Sequence, residues 1–310
     1  VSRLRGWLSA WWRGDPRRIQ LTYQVVFMAI GLSFLRFSIT PVQIGLTLAA
    51  GVLTQAIFLR SFRLRGVGYL SALNASFSVC MLMRSETLWG LPLAAILANA
   101  SKFLLRVRAK HVYNPSNFGI VVSLLLFPAS CYMVPAQWGY ELFLSSLCLV
   151  LGSTVVYRVR RYDISWTFFV VYLALVALRV FAKQQGFSAW LFEINAGLVI
   201  FSFFMISDPK TIPNHRAARI VFALLMAGVA YLLTSVFYRF NAALWTPAGK
   251  TLTSGVMAYA YHTNGILFSL FLCSPLVPWL DRFWRADSYR WDRHPEAERL
   301  SPATGVGGGL

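Results

Sequence analysis

Ten runs of mostly apolar residues, each close to the length of a bilayer crossing, leave this chain one solvent in which it can fold. They cover about 19–36, 42–59, 67–83, 87–105, 115–133, 139–157, 164–182, 190–207, 217–237 and 258–280. A spanning helix needs about 20 such residues. Apolar residues make up 57% of the chain and charged residues 13%. A soluble domain carries about 25% charged residues, so this chain lacks the polar surface to stand in water. The expected fold class is an all-α integral membrane protein with ten transmembrane helices. Disordered, collagen-like and disulfide-framework classes are excluded. The four cysteines, Cys80, Cys131, Cys148 and Cys273, lie in or beside apolar runs without a C-x-x-C pair. They read as small apolar residues rather than metal or redox ligands.

The charge pattern orients the spans. Lys+Arg number 29 and Asp+Glu 11, a net +18. On a soluble protein that excess points to nucleic acid; here it follows the sides of the membrane. Numbering the connections from the N-terminus, 23 of the 29 Lys and Arg fall on one side. Arg36, Arg84, Arg179, Lys183, Arg239 and Lys250 fall on the other. Basic residues concentrate in cytoplasmic loops, so both termini are expected in the cytoplasm, in a multi-pass protein of a bacterial cytoplasmic membrane. No nucleic-acid partner is expected. The division that follows is a basic, Trp-bearing interfacial segment over 1–18, a membrane domain over 19–280 and a polar cytoplasmic tail over 281–310.

Ten spans split into five and five, and an odd number inverts the second half relative to the first, a recurring transporter design. The halves are 19–133 and 139–280. Leu73-Asn74-Ala75-Ser76 in the third span matches Ile194-Asn195-Ala196-Gly197 in the eighth. Ser116-Asn117-Phe118-Gly119-Ile120 in the fifth matches Thr263-Asn264-Gly265-Ile266 in the tenth, with a one-residue gap. Asn in hydrocarbon is costly unless it is hydrogen-bonded to protein or water. Two readings of these four Asn stand side by side: helix caps and interhelical bonds, or the lining of a ligand cavity. The candidate ligand-binding residues are Asn74, Asn114, Ser116, Asn117, Asn195, Ser207, Asp208, Lys210 and Asn264.

Two further segments carry a family resemblance. Lys110-His111-Val112-Tyr113-Asn114-Pro115-Ser116-Asn117-Phe118-Gly119 resembles the Asn-Pro segment of the NQR2/RnfD-like membrane protein family. Phe203-Phe204-Met205-Ile206-Ser207-Asp208-Pro209-Lys210-Thr211 resembles that family's Phe-Phe-Met-x-(Ser/Thr)-Asp-Pro segment. The chain is most similar to the stand-alone branch found with enediyne-type clusters, over roughly residues 15–285. The resemblance implies a urea-transporter-like ten-helix inverted repeat. It also implies kinship with the flavin-carrying membrane subunits of sodium-pumping NADH:quinone reductase and of the Rnf complex. Those subunits attach FMN to the last Thr of a Ser/Thr-Gly-Ala-Thr motif, and no such tetrapeptide occurs here. No covalent FMN is therefore expected; a flavin or quinone would be held non-covalently near Asn117, Asn195 and Asn264, with Phe118 and Phe203 as aromatic faces.

Other chemistries find little support. The histidines are His111, His215, His262 and His294, and His111 and His262 begin spans on opposite sides, so they cannot share a haem. Walker, zinc and nucleophile-elbow motifs are absent from the sequence. Glu193 is the clearest carboxylate within a span. Three function classes remain open: an electron-transfer or flavin- or quinone-handling subunit of a larger complex, a small-molecule or ion transporter or channel, and a non-catalytic anchor. The expected partners are the lipid bilayer and other membrane or periplasmic subunits.

Overall fold

A computed structural model of the chain describes residues 15–64, 68–107, 110–133, 142–184, 186–191, 193–236 and 265–289. Asn264, the segment 1–14 and the tail beyond 289 lie outside the described residues. The chain is mostly helical. It begins with α1 (Pro16–Ser33) and α2 (Pro41–Ser61). Both start on proline at the first helical position, where the missing N–H would have had no partner. Asp15 caps α1, and Thr40 and Gln43 form a reciprocal capping box at α2. Then follow α3 (Leu70–Leu82), β1 (Met83–Ser85), α4 (Gly90–Leu104), β2 (Arg106–Val107), β3 (Lys110–His111), α5 (Pro115–Leu126) and β4 (Cys131–Met133). The second half holds α6 (Leu142–Arg158), α7 (Tyr162–Ala182), the short α8 (Gly186–Leu191) and α9 (Ala196–Ile200). A π-helical turn, Phe201–Met205, extends α9, and α10 (Arg216–Tyr231) follows. The last described helix is α11 (Gly265–Phe283).

Among the described residues four helices are long and apolar enough to cross a membrane: Pro41–Ser61, Tyr162–Ala182, Arg216–Ser235 and Gly265–Phe283. The apolar runs at 67–83, 115–133 and 190–207 differ from the expected full-length helices. The 13 residues of α3 rise about 20 Å, short of a hydrocarbon core about 30 Å thick. Instead α3 and α5 each give way to extended chain, and β1 pairs antiparallel with β4, Met83 opposite Met133 and Ser85 opposite Cys131. That ladder supplies partners to backbone groups the helices leave behind. Arg84, 1% exposed, closes the end of α3 by donating to the carbonyls of Cys80 and Met83. Its guanidinium lies 5.3 Å from the centre of the Phe37 ring. An arginine expected in a connection between spans is thus a helix C-cap.

The packing has a regular plan. α1 lies on α3 as α6 lies on α9, and α2 lies on α4 as α7 lies on α10. A close crossing joins α4 to α5, where a Cβ on Gly119 would come within 2.2 Å of the Ala94 carbonyl oxygen. Val79, Leu91, Ala94, Ile120 and Val121 fill the core on this side, and Phe168, Val199, Phe203, Phe222 and Met226 fill it on the other. All four cysteines are buried and free. α11 runs to Phe283, past the expected start of the polar tail. Asp281 is fixed there because it accepts from the Lys110 Nζ at 2.7 Å and from the Asn214 N–H at 2.8 Å.

Candidate functional site

Six of the nine candidate residues line one cavity of about 340 Å³: Asn74, Asn114, Ser116, Ser207, Asp208 and Lys210. Its walls come from the starts of α1, α3 and α5, the ends of α2, α4 and α6, and the turn after α9. Asn117 is fully buried behind the wall and donates to the Leu267 carbonyl at 2.9 Å, tying α5 to α11. Asn195 lies elsewhere. It caps α9 by accepting from the Leu198 N–H and donates to the Glu193 carbonyl. Glu193 is occupied by Arg179 at 2.5 Å. Asn74 and Asn195, matched in the sequence, thus work in different places: one lines the cavity and the other caps a helix.

The wall is built by local chemistry. Asn114 caps α5 through its Oδ1, which accepts from the Asn117 N–H at 3.1 Å and the Ser116 hydroxyl at 2.8 Å. Its Nδ2 reaches across to the Met205 carbonyl at 3.0 Å. That carbonyl sits on the π-helical turn, whose wider hydrogen-bond spacing breaks the regular ladder. The Ser207 hydroxyl bonds back to the Phe203 carbonyl, and Asp208 accepts from the Lys210 N–H. The Asn-Pro and Asp-Pro segments, 91 residues apart at Asn114 and Met205, are joined by this one amide.

At the floor lies Lys102, 5% exposed. Its ammonium donates to Asn99 Oδ1 at 2.6 Å, Ser71 Oγ at 2.9 Å and Gln55 Oε1 at 3.1 Å. Arg17 and Arg106 add further positive charge, though Arg17 is paired with Asp15 at 2.5 Å. Lys210 closes the mouth, its Nζ donating to the Tyr289 carbonyl at 2.7 Å. Burial pushes His111 down to about 4, and the charges of Arg106 and Lys102 push the same way, so it is a neutral imidazole at neutral pH. Burial raises the Asp208 carboxyl against the opposing pull of the Lys210 N–H and of Lys102.

Among the described residues, two wall residues each carry a buried polar atom with no hydrogen-bond partner: Asn74 Oδ1 and His111 Nδ1. A buried acceptor left unmade costs about 1–3 kcal/mol. Both atoms therefore call for a bonding group inside the cavity. Phe103 and Phe204 give the same space two aromatic surfaces, in place of the expected Phe118, which packs against Tyr113 and Phe271, and Phe203, which is buried against Trp166 and Phe169. Lys102, Arg106 and His111 lie within ten residues of one another in the sequence, but Gln55, Ser71 and Gln20 do not. Nothing in the spacing of those polar residues along three separate helices marks them as neighbours. Comparison with protein-family models and with curated proteins finds no match to this chain.

Proposed function

We propose that this chain is a multi-pass protein of the bacterial cytoplasmic membrane that holds a flavin or quinone non-covalently in the cavity between Asn74, Asn114 and Asp208. The orphaned Asn74 Oδ1 and His111 Nδ1 carry this reading. An isoalloxazine presents an N–H and carbonyls along one edge, and a quinol presents hydroxyls. Asn74 and His111 would take that polar edge, Ser116 and Ser207 line the same wall, and Phe103 and Phe204 would cover the ring faces. A volume of about 340 Å³ falls at the compact end of the ligand-pocket range of about 300–1,000 Å³. When bound, such a group supplies one- or two-electron chemistry. The residues of this chain bind it, orient it and shield it from water.

The same reading takes the chain as an NQR2/RnfD-like subunit, built as a ten-helix inverted repeat and working with other membrane or periplasmic subunits. Its support is the matched packing of α1 on α3 with α6 on α9, and of α2 on α4 with α7 on α10. The chain ends that meet at the cavity also belong to the side assigned to the cytoplasm by charge. The test is a visible spectrum of protein purified in mild detergent, followed by acid precipitation. Flavin bands or an extractable quinone in the supernatant support the reading. A colourless, quinone-free preparation overturns it, and flavin retained in the pellet contradicts non-covalent binding.

The half-length helices α3 and α5 and their paired strands favour a second reading, a transporter or channel, because broken helices recur at transport sites. Solute or ion flux into proteoliposomes would support it.

A further inference from the structure

The corner between α6 and α7 lies away from the cavity and gathers exposed hydrogen-bond donors. Arg160 follows the end of α6 with a φ of 53°, the left-handed conformation usual for glycine at this place. Its N–H donates to the Tyr157 carbonyl at 3.1 Å, and the Arg161 N–H donates to the Val156 carbonyl at 2.9 Å. These two bonds fix the turn. The Arg160 side chain is exposed and pairs with no carboxylate among the described residues. The acid closest in sequence, Asp163, gives both oxygens to Arg219. Arg161 is drawn elsewhere: its Nη1 donates to the Arg160 carbonyl, and its guanidinium lies over the Tyr289 ring. Tyr157 and Tyr162 flank the turn and stack with ring centres 5.0 Å apart at 19°. They are 68% and 38% exposed, and among the described residues neither hydroxyl has a partner. From Tyr162 an exposed stripe continues along α7 through Trp166 and Val170 at four-residue spacing. Because α7 is long and apolar enough to cross a membrane, its first turn falls at the headgroup layer, where Tyr and Trp are favoured, and the stripe descends from there into hydrocarbon. The end of α2 supplies a contrast. Arg63 has a φ of 51° and the same two backbone bonds, from Arg63 N–H to the Arg60 carbonyl and from Leu64 N–H to the Leu59 carbonyl. The rings stacked there are Phe58, Phe62 and Phe103, which carry no hydroxyl.

We propose that the α6–α7 corner binds an anionic phospholipid, its phosphodiester taken by Arg160 and the hydroxyls of Tyr157 and Tyr162 and an acyl chain laid along Trp166 and Val170. A guanidinium fits phosphate oxygens with two parallel donors, and a phenol hydroxyl adds a third and a fourth without a charge of its own. The exposed aromatic and aliphatic stripe gives the chain an apolar surface that continues directly from the headgroup contacts. Arg158 adds charge to the same turn. An anionic headgroup is favoured over a zwitterionic one because no carboxylate of the described residues offsets Arg160 and no choline cation then has to be accommodated beside it. The site is separate from the cavity and independent of what the cavity holds.

The experiment titrates the full chain in mild detergent with phosphatidylglycerol or phosphatidylcholine of identical acyl chains. Retained lipid is counted by native mass spectrometry, and the melting midpoint is followed in parallel. Phosphatidylglycerol is expected to bind about tenfold more tightly, which is what one charge-assisted contact is worth. Arg160→Gln should weaken it by about tenfold. Tyr157→Phe combined with Tyr162→Phe keeps the ring stack and removes both hydroxyls, so it should weaken phosphatidylglycerol while leaving the lipid-free melting midpoint unchanged. That double variant carries the test if Arg160→Gln disturbs the turn. Arg63→Gln removes the same charge from the same backbone geometry and should leave binding unchanged. Equal affinity for the two lipids overturns the proposal, and so does phosphatidylglycerol binding that survives both corner variants. Equal losses from Arg63→Gln and Arg160→Gln overturn it too, since net charge would then account for the effect. Displacement of the lipid by soluble glycerol 3-phosphate would show that the corner reads the phosphate alone and would overturn the assignment to a lipid; retention of the lipid supports it.

Discussion

Arg219 and Asp163 are each 7% exposed at the side chain, and they join the first turns of α10 and α7. The guanidinium Nε lies 3.0 and 2.9 Å from the two carboxylate oxygens, and the Arg219 Nη1 also donates to the Asn214 carbonyl. Removing one partner leaves a buried charge unanswered. Arg219→Met should therefore lower stability by about 3–5 kcal/mol, read as a fall in melting midpoint in detergent. The double change Arg219→Met with Asp163→Leu should recover much of the loss. His111 makes a second prediction, with a pH sign. Its folded value of about 4 lies below the ordinary 6.5. Between those values the unfolded chain holds a proton that the folded chain refuses, so stability drops as pH falls from about 6.5 to 4. Asp208 acts oppositely: its raised folded value means the folded chain protonates first as pH falls. Melting midpoints of His111→Gln between about pH 7 and 4.5 should be less pH-sensitive than those of the parent. An identical slope would remove His111 as the cause.

Among the elements, α4 and α5 depend most on small residues. Gly119 faces the Ala94 carbonyl and Ala98, whose Cβ lies 2.8 Å from the position an added methyl would take. The near atoms are backbone and a methyl, so neither can rotate away. Gly119→Ala should separate the two helices and cost about 1–3 kcal/mol, the usual range for overpacking. The cavity would change too, since Lys102 stands on α4 and Asn114 caps α5. A melt combined with FMN titration should show both effects in the same variant. A proline behind a capping residue opens α1, α2 and α5 at Pro16, Pro41 and Pro115, and the start of α5 was legible as the start of the apolar run at 115. Its end was not. The apolar run at 115–133 continues past Leu126, where α5 ends, and hydropathy does not register the turn that leads from there into β4.

At the scale of the whole molecule, the cavity gathers helix ends from both halves, all on the side where Lys and Arg concentrate in the sequence. Cysteine replacements at Arg106 and Arg160 should be shielded from an impermeant reagent in intact cells. Replacement at Ala136 should label. Labelling in the reverse sense would move the cavity to the outer face and overturn the assigned orientation. The C-terminal part of the chain takes part in this arrangement: Asp281 holds Lys110, the Tyr289 carbonyl holds Lys210, and Arg161 lies 5.3 Å from the centre of the Tyr289 ring.

The sequence by itself determined the apolar composition, the apolar runs, the excess of basic residues and the Asn-Pro and Asp-Pro segments. Each of these is a property of consecutive residues, and hydrophobic transfer and backbone capping act over one helix at a time. Only the tertiary structure decided which polar residues share a space. Gln55, Ser71, Asn99 and Lys102 stand on three helices. Their grouping follows from the angles at which those helices cross, which side-chain packing sets and no local pattern encodes. The same packing separated Asn74 from Asn195: similar words in two helices put one amide on a cavity wall and the other on a helix end. Among the described residues it also left Asn74 Oδ1 without a partner, because none of them brings a donor within reach.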